Sequence, residues 1–483
     1  MIIAINGVRH LFRGTCLALV SVTSCLLVAP AHAEALPASV DRILRGHRIS
    51  PDEISIVVQG LDSPAPALEH LPDEPRNPAS VMKLLTTWSA LEVLGPAYTW
   101  RTEVYLDGQV DDGKLDGDLV LKGYGDPFLV LEEFWKLLRA VRRLGVDEIG
   151  GDLVIDDSYF AVDEPPPGEF DNQPTRTYNV VPNALLVNFK AVNFQFAADP
   201  GANAVRVTYE PVLTNLDVRN GIRLANRACG GYQAGISLDV VGAGLGEVRL
   251  GGAFPQPCGS YAMTRTVLEH DTYVFGLFES LWREIGGRFD GKLRKARVPE
   301  GTRPALTWRS APLADIVRSI NKNSNNVMTR QVLYTLGAET AGAPGTRENG
   351  AAAIREFLSA RGLDTRPLVI DNGAGLSRAA RTSARLVADV LRAAAASPYA
   401  AEFVSSLSLG GLDGTTRTRF NGQSAVTHVK TGRLDHVSAL AGYVRSKRGD
   451  DYVIAVIANA QDVHRGPGQE LEEAVVRYVH DQL

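Results

Sequence analysis

The chain has 483 residues, enough for two or three domains, and its 45% hydrophobic content is that of a globular protein with a substantial core. A formal net charge of -5 excludes a general nucleic-acid binder, which needs a basic stripe. The four cysteines fall in no metal-ligand spacing, which excludes a cysteine-held structural zinc site.

Residues 1–33 carry the marks of an export signal. Arg9 and Arg13 give a positive start, Cys16 to Val28 an apolar run, and Ala31-His32-Ala33 a small-residue cleavage site. The run is shorter than the roughly 20 residues of a bilayer span, so no transmembrane anchor is expected. Val22-Thr23-Ser24-Cys25 loosely fits a lipoprotein processing site, but apolar residues continue past Cys25 and argue against lipidation. Cleavage near Ala33 would leave a periplasmic protein with two cysteines, Cys229 and Cys258. A lone pair in an exported protein reads as a disulfide.

In chain order, Ile54 to Gln59 reads as a strand with turn chemistry at Gly60-Leu61-Asp62-Ser63-Pro64. A helix starting near Ala79 follows. Leu84, Trp88 and Leu91 form its buried stripe, and Gly95-Pro96 ends it. From 98 to 160, Asp107-Gly108, Asp112-Gly113 and Asp116-Gly117 predict an array of short hairpins. A helix over 129–144 and a strand over 151–156 come next. Residues 161–177, with Pro165-Pro166-Pro167, predict a long loop or domain junction, and 178–260 are β-rich. Gly242-Ala243-Gly244-Leu245-Gly246 lacks a βαβ context and reads as a turn rather than a nucleotide loop.

A helix is expected over 263–286, then a connector from Pro304 to Pro312. Helical segments over 313–337, 350–361 and 382–396 follow, the first broken at Asn323-Ser324-Asn325-Asn326. Three strands (426–429, 438–444, 452–457) and a final helix from Gln469 to Leu483 close the chain. Leu471, Val475 and Tyr478 form that helix's apolar stripe. The order is α/β, then β-rich, then α/β, which suggests one domain split by an insertion.

Three motifs carry chemistry. In Ser80-x-x-Lys83 the two residues share a helix face, so the amine can take the serine proton and activate a nucleophile that is weak by itself. The helix N-terminus favours a developing oxyanion. Ser324-x-Asn326 sits in the polar break, and Lys430-Thr431-Gly432 ends a strand. Each motif alone is weak. Together and in this order they form the triple signature of serine penicillin-recognising enzymes.

The longer strings resemble one branch of these, the class C low-molecular-mass penicillin-binding proteins of the D-alanyl-D-alanine carboxypeptidase/endopeptidase family. The likeness rests on Pro78 to Thr87, Asn321 to Asn326, Asp371 to Arg378, Gly411 to Thr415, and Lys430-Thr431-Gly432 followed by Val437 to Tyr443. Gly117-Asp118-Leu119 with Gly125-Asp126-Pro127 resembles the start of that family's inserted region. The 240 residues between Lys83 and Ser324 leave room for such an insertion, whereas a single-domain β-lactamase has far fewer.

The resemblance implies a mixed α/β fold: a β-lactamase/transpeptidase-like domain with a central antiparallel sheet and flanking helices. Its parts would be residues 34–97 and 304–483. The insertion, 98–303, would comprise a second domain (98–160 and 261–303) and a third nested in it (161–260). It further implies acyl transfer to Ser80 from peptidoglycan stem peptides, with β-lactams as covalent inhibitors and neither cofactor nor metal. Lys83, kept neutral by Lys430, would be the base. Ser324 and Asn326 would complete the proton path, and Lys430 and Thr431 would bind the terminal carboxylate. The N–H groups of Ser80 and of Arg433, next to Gly432, would form the oxyanion hole, and Arg378 would line the peptide pocket.

Two other readings compete. A hydrolase of the same fold acting on β-lactams or other D-amino peptides would deacylate fast, but no recognisable deacylating Glu box is present. A non-catalytic wall-binding protein would not need Ser80, Lys83, Ser324, Asn326, Lys430 and Thr431 all intact. His428 and His436 flank the third motif, and strand alternation makes His428 structural.

Overall fold

The computed structural model describes residues 36–242, 246–420 and 426–483. The export segment with Cys16, Cys25 and Ala33, and the centre of the Gly242–Gly246 turn, lie outside the described residues. Both ends of the chain build one six-stranded antiparallel sheet, in the order Ser408–Leu409, Thr427–Leu434, Val437–Arg445, Asp451–Asn459, Ile54–Gly60, Leu68–His70. Ile54–Gly60 pairs with Asp451–Asn459 along its whole length, Ile54 opposite Ala458 and Gly60 opposite Tyr452.

Side chains alternate across a strand, and here both faces are covered. Val57, Ala439, Ala441, Ala455 and Ile457 pack on helices Met82–Leu94, Leu313–Asn323, Asn326–Ala341, Arg347–Ala360 and Ala384–Ala395. Ile54, Ile56, Val58, Leu440 and Val456 pack on helices Ala38–His47 and Pro467–Gln482. That is why Ile54–Gly60 is buried at every position, Ser55 and Gln59 included. Trp88 is buried in the first of these cores, and Leu471 and Val475 of the last helix in the second. The sheet with its two helix layers is the mixed α/β fold expected from the sequence.

Between the ends lie a seven-stranded sheet and smaller sheets of three and four strands, whose apolar residues form one continuous cluster around Phe134, Phe194, Tyr273 and Trp282. Three sequence expectations are corrected here. The Asp-Gly pairs mark one long hairpin, Arg101–Asp111 with Lys114–Gly123, rather than several short ones. Only Asp112-Gly113, both at positive φ, forms its turn. Gly108 and Gly117 instead face each other across the ladder.

The helix expected over 263–286 begins only at His270. Ser260–Arg265 is a strand paired with Val192–Asp199, because Met263 is buried against the inserted core while its neighbours are not. The Pro304–Pro312 connector contains a strand, Leu306–Arg309, paired with Arg101–Asp111. Helices Ala38–His47 and Ala400–Ser406 were not legible in the sequence. Cys229 and Cys258 are joined, with Cα atoms 5.1 Å apart. Among the described residues no helix is long and apolar enough to cross a membrane.

Candidate active site

Ser80 lies in a tight turn, Ala79–Val81, that runs into helix Met82–Leu94. The sequence expects a regular helix start here. The turn is tighter because Ala79 takes a left-handed φ of 44°. Such a conformation costs a non-glycine residue about 1–2 kcal/mol and persists only where contacts enforce it. Asn77 supplies them. Its Oδ1 accepts from the Ala79 N–H at 2.9 Å, and its Nδ2 donates to the Ser377 carbonyl at 2.8 Å. Its backbone N–H donates to Asn459 Oδ1 at 2.8 Å, and Asn459 Nδ2 donates back to the Asn77 carbonyl at 3.0 Å. The Ser80 turn is thereby fastened to the sheet.

Lys83 is one turn on and has no exposed surface. Its Nζ is 3.0 Å from Ser80 Oγ, 2.6 Å from Asn326 Oδ1 and 2.6 Å from the Ala374 carbonyl. Burial, and then the charge of Lys430, push its pKa well below the usual lysine value. Burial rather than Lys430 is thus the main cause of the depression expected from the sequence.

A neutral amine has two N–H bonds and one lone pair. The two carbonyl oxygens take the N–H bonds, so the lone pair is left for the Ser80 hydroxyl.

Ser324 and Asn326 stand at the junction of helices Leu313–Asn323 and Asn326–Ala341. Ser324 has a left-handed φ of 55°, and the Asn325 side chain caps the second helix by accepting from the Met328 N–H at 3.0 Å. This sharp junction is the polar break read from the sequence. It turns Asn326 toward Lys83 and Ser324 toward Lys430, whose Nζ donates to Ser324 Oγ at 2.9 Å.

Lys430 also has no exposed surface and donates to the Thr431 carbonyl at 2.8 Å. Burial pulls its pKa down to about 7. Thr431 is half-buried, and its hydroxyl donates to Thr415 Oγ1 at 2.8 Å. The loop carrying Thr415 is tied down by Lys322, 2.6 Å from Asp413. Gly432 is buried against the Ser80 turn. The Arg433 side chain is exposed, while its backbone sits in the strand opposite Ser438.

Arg378 lies outside this hydrogen-bond network. It is exposed, 3.2 Å from Asp435, with its guanidinium 4.7 Å from the centre of the Phe170 ring. It lines a cleft of about 320 Å³ with Phe170, Arg330, Arg347 and Asn372.

His428 lines a different cavity, with Val404 and Tyr443. Among the described residues, His436, Asp462 and His464 bring three donor atoms within 4.8 Å of one another. Both imidazole Nδ1 atoms already accept backbone N–H bonds, from Asp462 at 3.0 Å and His436 at 2.9 Å. The group therefore works as a clamp on two turns.

Sequence reasoning missed Asn77, Asn372, Thr415, Asn459 and the Ala374 carbonyl. The Asn77-Pro78 dipeptide carried a turn signal that pointed to the first. A backbone carbonyl leaves no mark in a sequence.

Residues 36–481 match the pattern of the D-Ala-D-Ala carboxypeptidase 3 (S13) family. A D-alanyl-D-alanine carboxypeptidase from an Actinomadura species is 32% identical over 407 residues, covering 81% of this chain and 74% of that protein. The D-alanyl-D-alanine carboxypeptidase DacB of Haemophilus influenzae is 24% identical over 385 residues, covering 79% of this chain and 80% of that one. The crystal structure of penicillin binding protein 4 from Haemophilus influenzae superposes with a TM-score of 0.78 at 21% identity. It covers 92% of this chain and 99% of its own.

Proposed function

Because the chain belongs to the D-Ala-D-Ala carboxypeptidase 3 (S13) family, we propose a division of labour for its serine carboxypeptidase chemistry in which Ser80 is the nucleophile and Lys83 its base. The observation that carries this reading is the set of three oxygen atoms around the buried Lys83 Nζ. The substrate is a peptidoglycan stem peptide ending in D-Ala-D-Ala, met in the periplasm. Ser80 Oγ bonds to the carbonyl carbon of the penultimate D-Ala as its proton passes to Lys83 Nζ. The oxyanion forms against the N–H groups of Ser80 and Arg433, the kind of donor pair whose single loss slows acyl transfer about 10²–10³-fold.

The C–N bond then breaks. The proton reaches the leaving amine through Ser324, which Lys430 holds at 2.9 Å. Free D-Ala departs and leaves an ester on Ser80. Water enters and hydrolyses that ester. Lys430 and Thr431 recognise the terminal carboxylate, and Asn326 holds the Lys83 amine and the substrate backbone. A β-lactam opens on Ser80 in the same way and leaves a slow ester. The insertion that would split the catalytic domain is the 98–303 expected from the sequence, extended by strand Leu306–Arg309 of the same sheet, and its Phe170 lines the cleft beside Arg378 and Asn372.

The test is mass spectrometry of the intact protein after benzylpenicillin. A single adduct on the Ser80 peptide is expected, with none in Ser80→Ala. An adduct that persists in Ser80→Ala overturns the assignment of the nucleophile. Incubation with defined fragments then separates loss of D-Ala from a pentapeptide from cleavage of a cross-linked dimer.

A further inference from the structure

The Lys83 amine has one partner that no catalytic side chain supplies, the Ala374 carbonyl at 2.6 Å. That carbonyl belongs to a loop with left-handed glycines on either side, Gly373 at φ 66° and Gly375 at φ 74°. Such a loop has no ladder of its own to hold it, so its shape must be set by side chains. One side chain does most of this. Asn372 is buried, its Oδ1 accepts from the N–H groups of Ala374 and Gly375, both at 3.1 Å, and its Nδ2 donates to the Leu376 carbonyl at 2.7 Å. All of its hydrogen bonds thus go to the three residues that frame the Ala374 carbonyl.

The loop has one more anchor on the same helix face as the base. Thr86, three residues after Lys83, donates its hydroxyl to the Gly373 carbonyl at 2.8 Å. A Cβ on Gly375 would stand 1.8 Å from the Ala79 carbonyl oxygen, so the loop also abuts the Ser80 turn itself.

We propose that Asn372 is a positioning residue for acylation, acting on Ser80 only through the Ala374 carbonyl that it holds against the Lys83 amine. This rests on the reading of Ser80 as nucleophile and Lys83 as base. With Asn326 Oδ1 and the Ala374 carbonyl each taking one N–H, the amine cannot swing about its Cε–Nζ bond, and its lone pair stays on the Ser80 hydroxyl. After proton transfer the same two oxygens and the Ser80 oxygen accept the three N–H bonds of the ammonium. If the Ala374 carbonyl is released, the lone pair loses its direction and the ammonium loses an acceptor.

Two signatures follow. The acylation rate falls, by about ten- to a hundredfold for a misplacement of this kind. The ammonium, one acceptor poorer, gives up its proton more readily, so the acid limb of the rate profile moves to lower pH. Lys430 is the charged neighbour that acts on Lys83, and it is unchanged in these variants.

The experiment measures the second-order rate of acylation by a fluorescent penicillin from pH 5 to 9, per mole of protein that labels at the endpoint, in the wild type, Asn372→Ala, Asn372→Asp and Thr86→Val. Asn372→Ala is expected to label fully but slowly, with its acid limb displaced to lower pH. Asn372→Asp keeps both acceptor contacts but turns a carboxylate oxygen toward the Leu376 carbonyl, so it is expected to recover only part of the rate, with its added negative charge holding the acid limb at higher pH than in Asn372→Ala. Thr86→Val loosens the loop at its other anchor and shifts the limb the same way, which keeps the proposal testable if Asn372→Ala does not fold. A wild-type rate and limb in both Asn372→Ala and Thr86→Val overturn it. So does a loss confined to the labelled fraction, which marks a role in folding alone. Ser80→Ala run alongside keeps the outcomes apart: residual labelling there defeats the underlying reading, not this inference.

Discussion

Gly432 lies so close to Ser80 that a Cβ on it would stand 3.0 Å from the Ser80 amide nitrogen and 2.5 Å from the Pro78 carbonyl oxygen. Atoms of a backbone cannot give way as a flexible side chain can, so any side chain at 432 forces the strand and the Ser80 turn apart. The two N–H groups proposed for the oxyanion belong to those two segments. Gly432→Ala is expected to slow acylation by about 10²-fold, the scale of losing one oxyanion donor. The unfolding midpoint should change little, because the strand keeps its ladder with Val437–Arg445. Penicillin acylation rates and a thermal melt on the same preparation check both halves.

The two buried lysines set how activity and stability respond to pH. With Lys83 as the proposed base, acylation is expected to slow as pH drops through that group's folded pKa, which burial and Lys430 hold well below the usual value. For stability, Lys430 titrates near 7 when folded and near 10.5 when unfolded. Between those values the unfolded chain binds the extra proton, so stability rises with pH over that window. Lys430→Met is expected to melt higher than the wild type at pH 7, with the gap narrowing toward pH 10, while peptide turnover is lost. Melting curves at four pH values in that range decide it. A constant gap would mean that Lys430 carries no buried-charge penalty.

How much of this was legible in the sequence depended on what carried the information. That Ser80, Lys83, Ser324, Asn326 and Lys430 come together was legible because the proposed chemistry needs particular side chains in a particular order. That Ile54–Gly60 is a strand was legible from its apolar residues and the turn chemistry after it, whereas its burial on both faces was not, because Ser55 and Gln59 interrupt the apolar run. The strand Ser260–Arg265 was hidden because its polar, half-exposed neighbours also suit a helix start. The loop around Asn372 carries part of the family resemblance, yet its contact with Lys83 passes through a backbone carbonyl and depends on folding across 291 residues of chain.

The Cys229–Cys258 bond is far from this chemistry in the chain. It closes a loop of 29 residues within the inserted sheets. The chain-entropy relation gives such a closure about 3.5 kcal/mol. Cys258→Ser is therefore expected to lower the denaturant midpoint of the insertion while the rate of penicillin acylation stays within twofold of wild type. Urea titration followed by tryptophan fluorescence, with Trp282 in the inserted core as reporter, measures the first, and labelling kinetics the second.

The hold of the proposed insertion on helix Asn326–Ala341 is a different matter. Glu164 and Arg330, both almost fully buried, are paired at 2.6 Å, and Arg330 also donates to the Val180 carbonyl at 3.0 Å. One residue on, Gln331 accepts from the Asn183 N–H at 3.0 Å and donates to the Asn183 carbonyl at 2.9 Å. Arg330 is one turn from Asn326 on the same helix, so these contacts fix the end of the helix that reaches Lys83. Removing one partner of a buried pair strands the other charge, at about 3–5 kcal/mol. Glu164→Ala is expected to destabilise by that amount and to slow acylation several-fold by loosening Asn326. Replacing both, Glu164→Leu with Arg330→Met, should recover most of the stability, since no buried charge is left unpaired. If Glu164→Ala acylates at the wild-type rate per folded molecule, the insertion does not brace Asn326 through this pair. Denaturant titration together with labelling rates distinguishes these results.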